Sequence, residues 1–218
     1  MRLRWGAWFM CLPRCAKPAT LKGSKIAGVM NKRMITMWML PVHVLFCMAA
    51  QGVQPVEILP GIENCYRVSK DVYRSGQPDE TGFRLLQTIG VKSVLNLREY
   101  HRDVRKAAGT KLQLLHYPVA AGEVTTEDLE KILLMLRRAP KPVLVHCWHG
   151  SDRTGIVIAA YRIVEQNVSV EEAEAEFADE KFGHHEFWYG NLRRLLRETD
   201  WAAFKQRINT ASPTQVNG

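Results

Sequence analysis

Val143-Leu144-Val145-His146-Cys147-Trp148-His149-Gly150-Ser151-Asp152-Arg153-Thr154-Gly155 is the stretch around which the chain is organised. Its first three residues are apolar and mostly β-branched, as an interior strand requires. Gly150 permits a sharp turn and lets backbone amides approach a bound anion closely. The apolar run at 156–164 then predicts a mostly buried helix. A strand, a tight loop and a helix N-terminus make an anion site, because unpaired amides and the helix dipole converge on one point. Arg153 adds a planar, two-pronged donor to the same oxyanion. The candidate phosphate-binding residues are therefore Trp148, His149, Gly150, Ser151, Asp152 and Arg153.

These surroundings explain a cysteine at position 147. A thiol near a helix N-terminus and a guanidinium ionises more readily, and the thiolate is the nucleophilic form. Cys147 and Arg153 bracket five residues, a Cys-x5-Arg spacing. Thr154 carries a hydroxyl placed to bond the sulfur and help it leave a cysteinyl-phosphate. His146 precedes the nucleophile and is placed to orient the loop through its ring nitrogens. A lone cysteine is more often a buried, inert thiol. Here the strand, Gly150, Arg153 and the following helix coincide, which favours the chemical reading.

The segment resembles the signature loop of the Cys-dependent protein tyrosine and dual-specificity phosphatases. Its ending, Asp152-Arg153-Thr154-Gly155, is most similar to the small dual-specificity-like branch found in bacteria. Val72-Tyr73-Arg74-Ser75-Gly76-Gln77-Pro78 and Gly90-Val91-Lys92-Ser93-Val94-Leu95-Asn96-Leu97-Arg98 resemble the opening of that domain. Gly183-His184-His185 and Asn191-Leu192 resemble its closing segment. The likeness runs over about residues 57–200 and implies a hydrolase acting on protein phosphotyrosine, with phosphoserine and phosphothreonine as further substrates. No metal or organic cofactor is implied, since Arg153 and the loop amides supply the charge stabilisation.

Such chemistry benefits from an acid that protonates the leaving oxygen. In the resembled family an Asp on a loop upstream of the cysteine serves. Here that loop, 118–128, has no Asp before Asp128. Glu123 is the first candidate general acid and Asp128 the alternative, although Asp128 also suits the first turn of a helix. A third possibility is that no protein acid is used, so that only good leaving groups react quickly. His184 and His185 are adjacent histidines near the closing segment, a pattern more typical of packing or surface. Trp188, Tyr189 and Trp201 fit apolar helix faces and are expected in the core.

Two other readings stay open. One is phosphatase action on a small phosphorylated metabolite such as an inositol phosphate. The loop supplies no lysine for it, and Asp152 would repel a multiply anionic substrate. The other is a phosphate-binding module with little turnover.

The net charge of +8 comes from the N-terminus. Residues 1–34 hold eight Lys and Arg and no acid, and the remainder carries 22 basic and 22 acidic residues. The basic balance therefore says little about the substrate, and no nucleic-acid partner is expected. Residues 34–56 lack Asp, Glu, Lys and Arg, follow Lys32-Arg33, and end in small residues near Ala49-Ala50. That pattern predicts an export signal or a retained membrane anchor, with Met30 or Met34 as an alternative start. An exported, periplasmic or membrane-anchored location is expected, with membrane association through this apolar segment. Cys65 and Cys147 are the only cysteines of the domain, which is no disulfide framework, although a regulatory pair between them is conceivable.

Strands alternate with helices, so the fold class expected is α/β, with a central, mainly parallel sheet flanked by helices. The expected divisions are a basic extension at 1–56, a phosphatase domain at 57–210 and a disordered tail at 211–218. Strands are expected at 66–68, 72–74, 91–97, 112–119 and from Val143. Helices are expected over 83–89 with Asp79 as cap, over 100–108, from Thr125 or Thr126 with an apolar stripe of Leu129, Ile132, Leu133 and Leu136, over 170–180 with Ser169 and Glu172 as a capping box, and over 187–198 and 201–208, while residues 51–63 read as a linker.

Overall fold

A computed structural model describes residues 54–55 and 59–211. The expected signal or anchor and most of the tail lie outside the described residues. The sheet has six strands: β1 (Gln54–Pro55), β2 (Tyr66–Arg67), β3 (Val72–Ser75), β4 (Ser93–Asn96), β5 (Gln113–His116) and β6 (Val143–His146). Their spatial order is β1-β2-β3-β6-β4-β5. The four strands from β3 to β5 are parallel, and β1 and β2 add an antiparallel edge. β1 falls in the segment expected to be linker.

Strand β6 is the centre. All four of its residues are buried, with β3 on one side and β4 on the other. Side chains alternate across a strand, so Val143, Val145 and, one step beyond, Cys147 enter one core. Leu144 enters the other core, and the His146 ring meets Phe83 there. The first core is closed by α2 (Thr126–Arg138), α3 (Asp152–Glu165), α4 (Val170–Phe177), α5 (Glu186–Glu198) and α6 (Trp201–Thr210). The second is closed by α1 (Glu80–Thr88) and by residues 103–112.

The helix signals in the sequence are used as expected. Asp79 caps α1 by accepting from Gly82 N, and the buried face of α2 is Leu129, Ile132, Leu133 and Leu136. Ser169 and Glu172 form the capping box of α4. One expectation is corrected: in place of a helix over 100–108 the chain makes turns over 104–109. Asp103 in this segment is spent on a buried hydrogen bond to His146, and Gly109 has a φ of 80° that ends any helical run.

α3 starts directly after the loop and is buried on nearly every side, so its N-terminus is held inside the protein. Gly155 lets it approach α4, since a Cβ there would lie 2.6 Å from the Phe177 ring. Among the described residues no helix is long and apolar enough to cross a membrane.

Candidate active site

The loop after β6 is shaped from behind by its carbonyls. Cys147 O lies 3.0 Å from His146 Nδ1. Trp148 O accepts from Gln77 N, His149 O from Asn64 Nδ2, and Gly150 O from the Arg74 guanidinium at 2.7 Å. Four successive carbonyls are thus tied outward. The amides of residues 148–151 donate no hydrogen bond among the described residues and so remain for an anion, as in a nest. Gly150 has a φ of 78°, and a Cβ there would lie 2.5 Å from the Ser75 carbonyl carbon. Only glycine gives both the turn and the close approach.

Cys147 is 3% exposed and lines a cavity of about 350 Å³. Trp148, His149, Asp152 and Arg153 of the loop line this cavity, with Ala121, His185, Trp188 and Tyr189 opposite. Arg153 reaches the upstream loop through a 3.3 Å bond to Val119 O. Gly150 and Ser151 are buried and do not line the cavity. Thr154 Oγ1 is buried and has no hydrogen-bond partner among the described residues, so the expected bond to the sulfur is not formed in this structure.

His146 is fully buried, and its Nε2 lies 2.8 Å from Asp103 Oδ2. Gln77 Nε2 donates to Asp103 Oδ1, and Arg98 donates to Gln77 Oε1. The Arg98 guanidinium then lies over the Trp148 ring at 4.2 Å, so the chain of contacts returns to the loop. Burial alone would raise the Asp103 carboxyl. The hydrogen bond and charge of His146, the hydrogen bond of Gln77 and the Arg98 charge outweigh it and hold Asp103 below the ordinary carboxylate range. Arg74 is 1% exposed and stacks on Phe182 at 4.0 Å; burial pushes its guanidinium down to about 10. Arg74, Gln77 and Arg98 lie in the segments whose resemblance was noted. Asn64 and Asp103 had no signal in the sequence, because their partners are 85 and 43 residues away.

The acid candidates separate. Asp128 does not line the cavity. Its carboxylate accepts from Thr125 N, Thr125 Oγ1 and Tyr117 OH, which completes the capping box of α2. The carboxylate of this alternative acid candidate is thus engaged in the helix cap. Glu123 ends a short 3-10 turn, Ala121–Glu123, and is exposed outside the cavity lining. The turn is fastened to α5 by Asn191, which donates to Ala121 O and Gly122 O.

Three further expectations are revised. Asp152 does not offer a free carboxylate to an anionic ligand. Oδ1 lies 2.8 Å from His184 Nδ1 and accepts from His185 N, while Oδ2 lies 2.8 Å from His185 Nδ1. His184 and His185 are therefore built into the loop's support. Trp188 is 72% exposed and lines the cavity instead of the core, whereas Tyr189 lines the cavity and also packs against the core. Trp201 is a core residue as expected. Cys65 and Cys147 are both free thiols, and burial pushes Cys65 up to about 11, which makes it unreactive. Among the described residues no cluster of His, Cys, Asp and Glu could hold a metal ion.

Residues 54–189 match the family model described as DSP-PTPase phosphatase fused to NAD+ Kinase. The chain is 32% identical over 146 residues to the dual specificity protein phosphatase TpbA of Pseudomonas aeruginosa, covering 66% of each. A crystal structure of a Cys-to-Ser variant of TpbA in complex with pTyr superposes with a TM-score of 0.67 at 29% identity, covering 76% of this chain and 99% of that one. Inositol diphosphatase DSP5 of Arabidopsis thaliana is 27% identical over 120 residues, 50% of this chain and 58% of that protein. The chain spans two thirds or less of the length of these curated relatives.

Proposed function

The chain belongs to the family of dual-specificity-like protein tyrosine phosphatases, and from that premise we propose that it hydrolyses phosphotyrosine in proteins through a cysteinyl-phosphate. The observation that carries this reading is that Cys147 lines one cavity together with Arg153 and the aromatic side chains Trp148, Trp188 and Tyr189. In the first step the sulfur of Cys147 attacks phosphorus, the P–S bond forms, and the bond to the leaving oxygen breaks. The loop amides and Arg153 hold the three equatorial oxygens as charge develops. In the second step water attacks phosphorus, the P–S bond breaks, and orthophosphate leaves with the thiolate restored. The unpartnered Thr154 hydroxyl is available to the sulfur as it departs.

The aromatic walls favour an aryl phosphate. Trp148, Trp188 and Tyr189 offer apolar faces to a phenyl ring, and the loop contributes no lysine for a polyphosphate. That inositol diphosphatases occur among the relatives makes small phosphates the rival to test.

The test is hydrolysis of an aryl phosphate by the full chain, with a metal chelator present, beside Cys147→Ser. Turnover is expected to disappear in the variant, while tyrosyl phosphopeptides turn over faster than inositol phosphates. Activity that persists in Cys147→Ser would remove the thiolate mechanism. Preference for inositol phosphates would keep the mechanism and replace the substrate. Phosphopeptide binding with no turnover in either protein would make the domain a binding module.

A further inference from the structure

We propose that His185, oriented by Asp152, is the proton-transfer residue of this site, in place of a carboxylate on the upstream loop. The proposal rests on the phosphatase reading above and names the residue that reading leaves unassigned. The cavity wall facing Cys147 contains no carboxylate free of partners. Asp128 is spent in the α2 cap, Glu123 is exposed outside the lining, and Asp152 is bound to His184 and His185.

His185 meets the requirements of a proton shuttle. Its ring lines the cavity and its side chain is 42% exposed. Nδ1 lies 2.8 Å from Asp152 Oδ2, and a carboxylate there favours the tautomer with the proton on Nδ1, which leaves Nε2 for another partner. Nε2 makes no hydrogen bond among the described residues. Asp152 is itself held by His184 Nδ1 and by the His185 amide, so the dyad is anchored at both ends. His184 is 2% exposed, packs on Phe177 at 4.2 Å, and lies 3.2 Å from Glu186, which closes the support from behind. His149 lines the same cavity, but no carboxylate holds its ring among the described residues.

The steps balance. Protonated His185 gives its Nε2 proton to the leaving oxygen as the P–O bond breaks and the P–S bond forms. Neutral His185 then takes a proton from water as its oxygen attacks phosphorus and the P–S bond breaks. Orthophosphate leaves, and His185 is protonated again for the next cycle. The charged and titratable groups around it are Cys147 and His149 on the loop, Asp152 and Arg153 on α3, and His184, Glu186 and Tyr189 beside it in the chain.

His185→Asn keeps a donor towards Asp152 and removes Nε2. It is compared with the unaltered full chain on p-nitrophenyl phosphate, whose leaving group needs little protonation, and on phenyl phosphate, whose leaving group needs it. The variant is expected to lose about a hundredfold or more on phenyl phosphate and under about tenfold on p-nitrophenyl phosphate. The ratio of the two rates does not depend on how much protein is folded, and His185→Ala is expected to shift it the same way. Equal losses on both substrates, or the selective loss appearing in Glu123→Gln instead, would overturn the assignment. Cys147→Ser run alongside separates the two claims: turnover there would sink the phosphatase mechanism itself, whereas its silence with equal losses at His185 would sink only the role of His185.

Discussion

Gly150 shows how one residue sets the geometry on which the chemistry depends. Its φ of 78° and its approach to Ser75 leave no room for a Cβ. An alanine there must carry left-handed backbone strain of about 1–2 kcal/mol and also push β3 away. Gly150→Ala is expected to lower stability by at least about that amount and to lower kcat/KM by more than about tenfold, since misplaced amides no longer match the transition state. Denaturant unfolding beside aryl phosphate kinetics checks both. An unchanged kcat/KM would mean that the loop tolerates a different turn. Arg74 acts on the same residue from the opposite side, through the Gly150 carbonyl. A guanidinium buried to this degree serves as an internal prop for the loop and not as a surface charge.

Helix α2 shows how an element can claim a residue that the chemistry also seemed to want. Thr125 and Asp128 exchange hydrogen bonds across the first turn, and Asp128 also receives the Tyr117 hydroxyl from the end of β5 at 2.6 Å. Burial and the Asp128 carboxylate together push the Tyr117 phenol above its ordinary range. Asp128→Ala is expected to destabilise the fold by about 1–2 kcal/mol, the usual cost of losing such a cap and one partly buried hydrogen bond. It is expected to leave the ratio of phenyl to p-nitrophenyl phosphate rates unchanged. A thermal melt and the two rates test this together; a fall in that ratio would return Asp128 to the chemistry. Helix α5 works in the opposite sense, since its N-terminal end supplies His185, Trp188 and Tyr189 to the cavity, with Tyr189 shared with the core.

At the scale of the whole molecule, the loop is the meeting point of chain segments remote from one another. Residues near 64, 74–77, 98–103, 119–122 and 183–191 all bond to it or line its cavity. Stability should therefore follow the buried carboxylates that tie these segments together. Burial opposes ionisation of Asp103 and Asp152, but hydrogen bonds from the histidines outweigh it, and both lie below the ordinary carboxylate range. A folded-state pKa below the unfolded one stabilises the protein above the unfolded value, near 4, and this is lost as pH falls through the folded value. Asp103→Asn is expected to be less stable than the unaltered chain at about pH 7, with the difference shrinking towards about pH 3. Urea unfolding over that range measures it. A difference that stays constant would mean that the Asp103 contribution is packing and not charge.

The sequence by itself determined the Cys-x5-Arg loop between a buried strand and a buried helix, the α/β class, and the caps of α1, α2 and α4. These depend on short-range rules: alternation, periodicity, a cap and its partner three residues later. What only the tertiary structure decided is which polar residues serve the loop. Asp103 sits in a polar run whose local pattern suggested a helix, and its partner His146 is 43 residues away. His184 and His185 read as ordinary packing until α3 brought Asp152 against them, 32 and 33 residues distant. Trp188 read as core because a helical pattern does not reveal that the first turn of α5 opens onto a cavity. The physical reason is common to all three. A buried hydrogen bond or a cavity wall is set by which segments the sheet order and helix packing bring together, and no spacing along the chain records that.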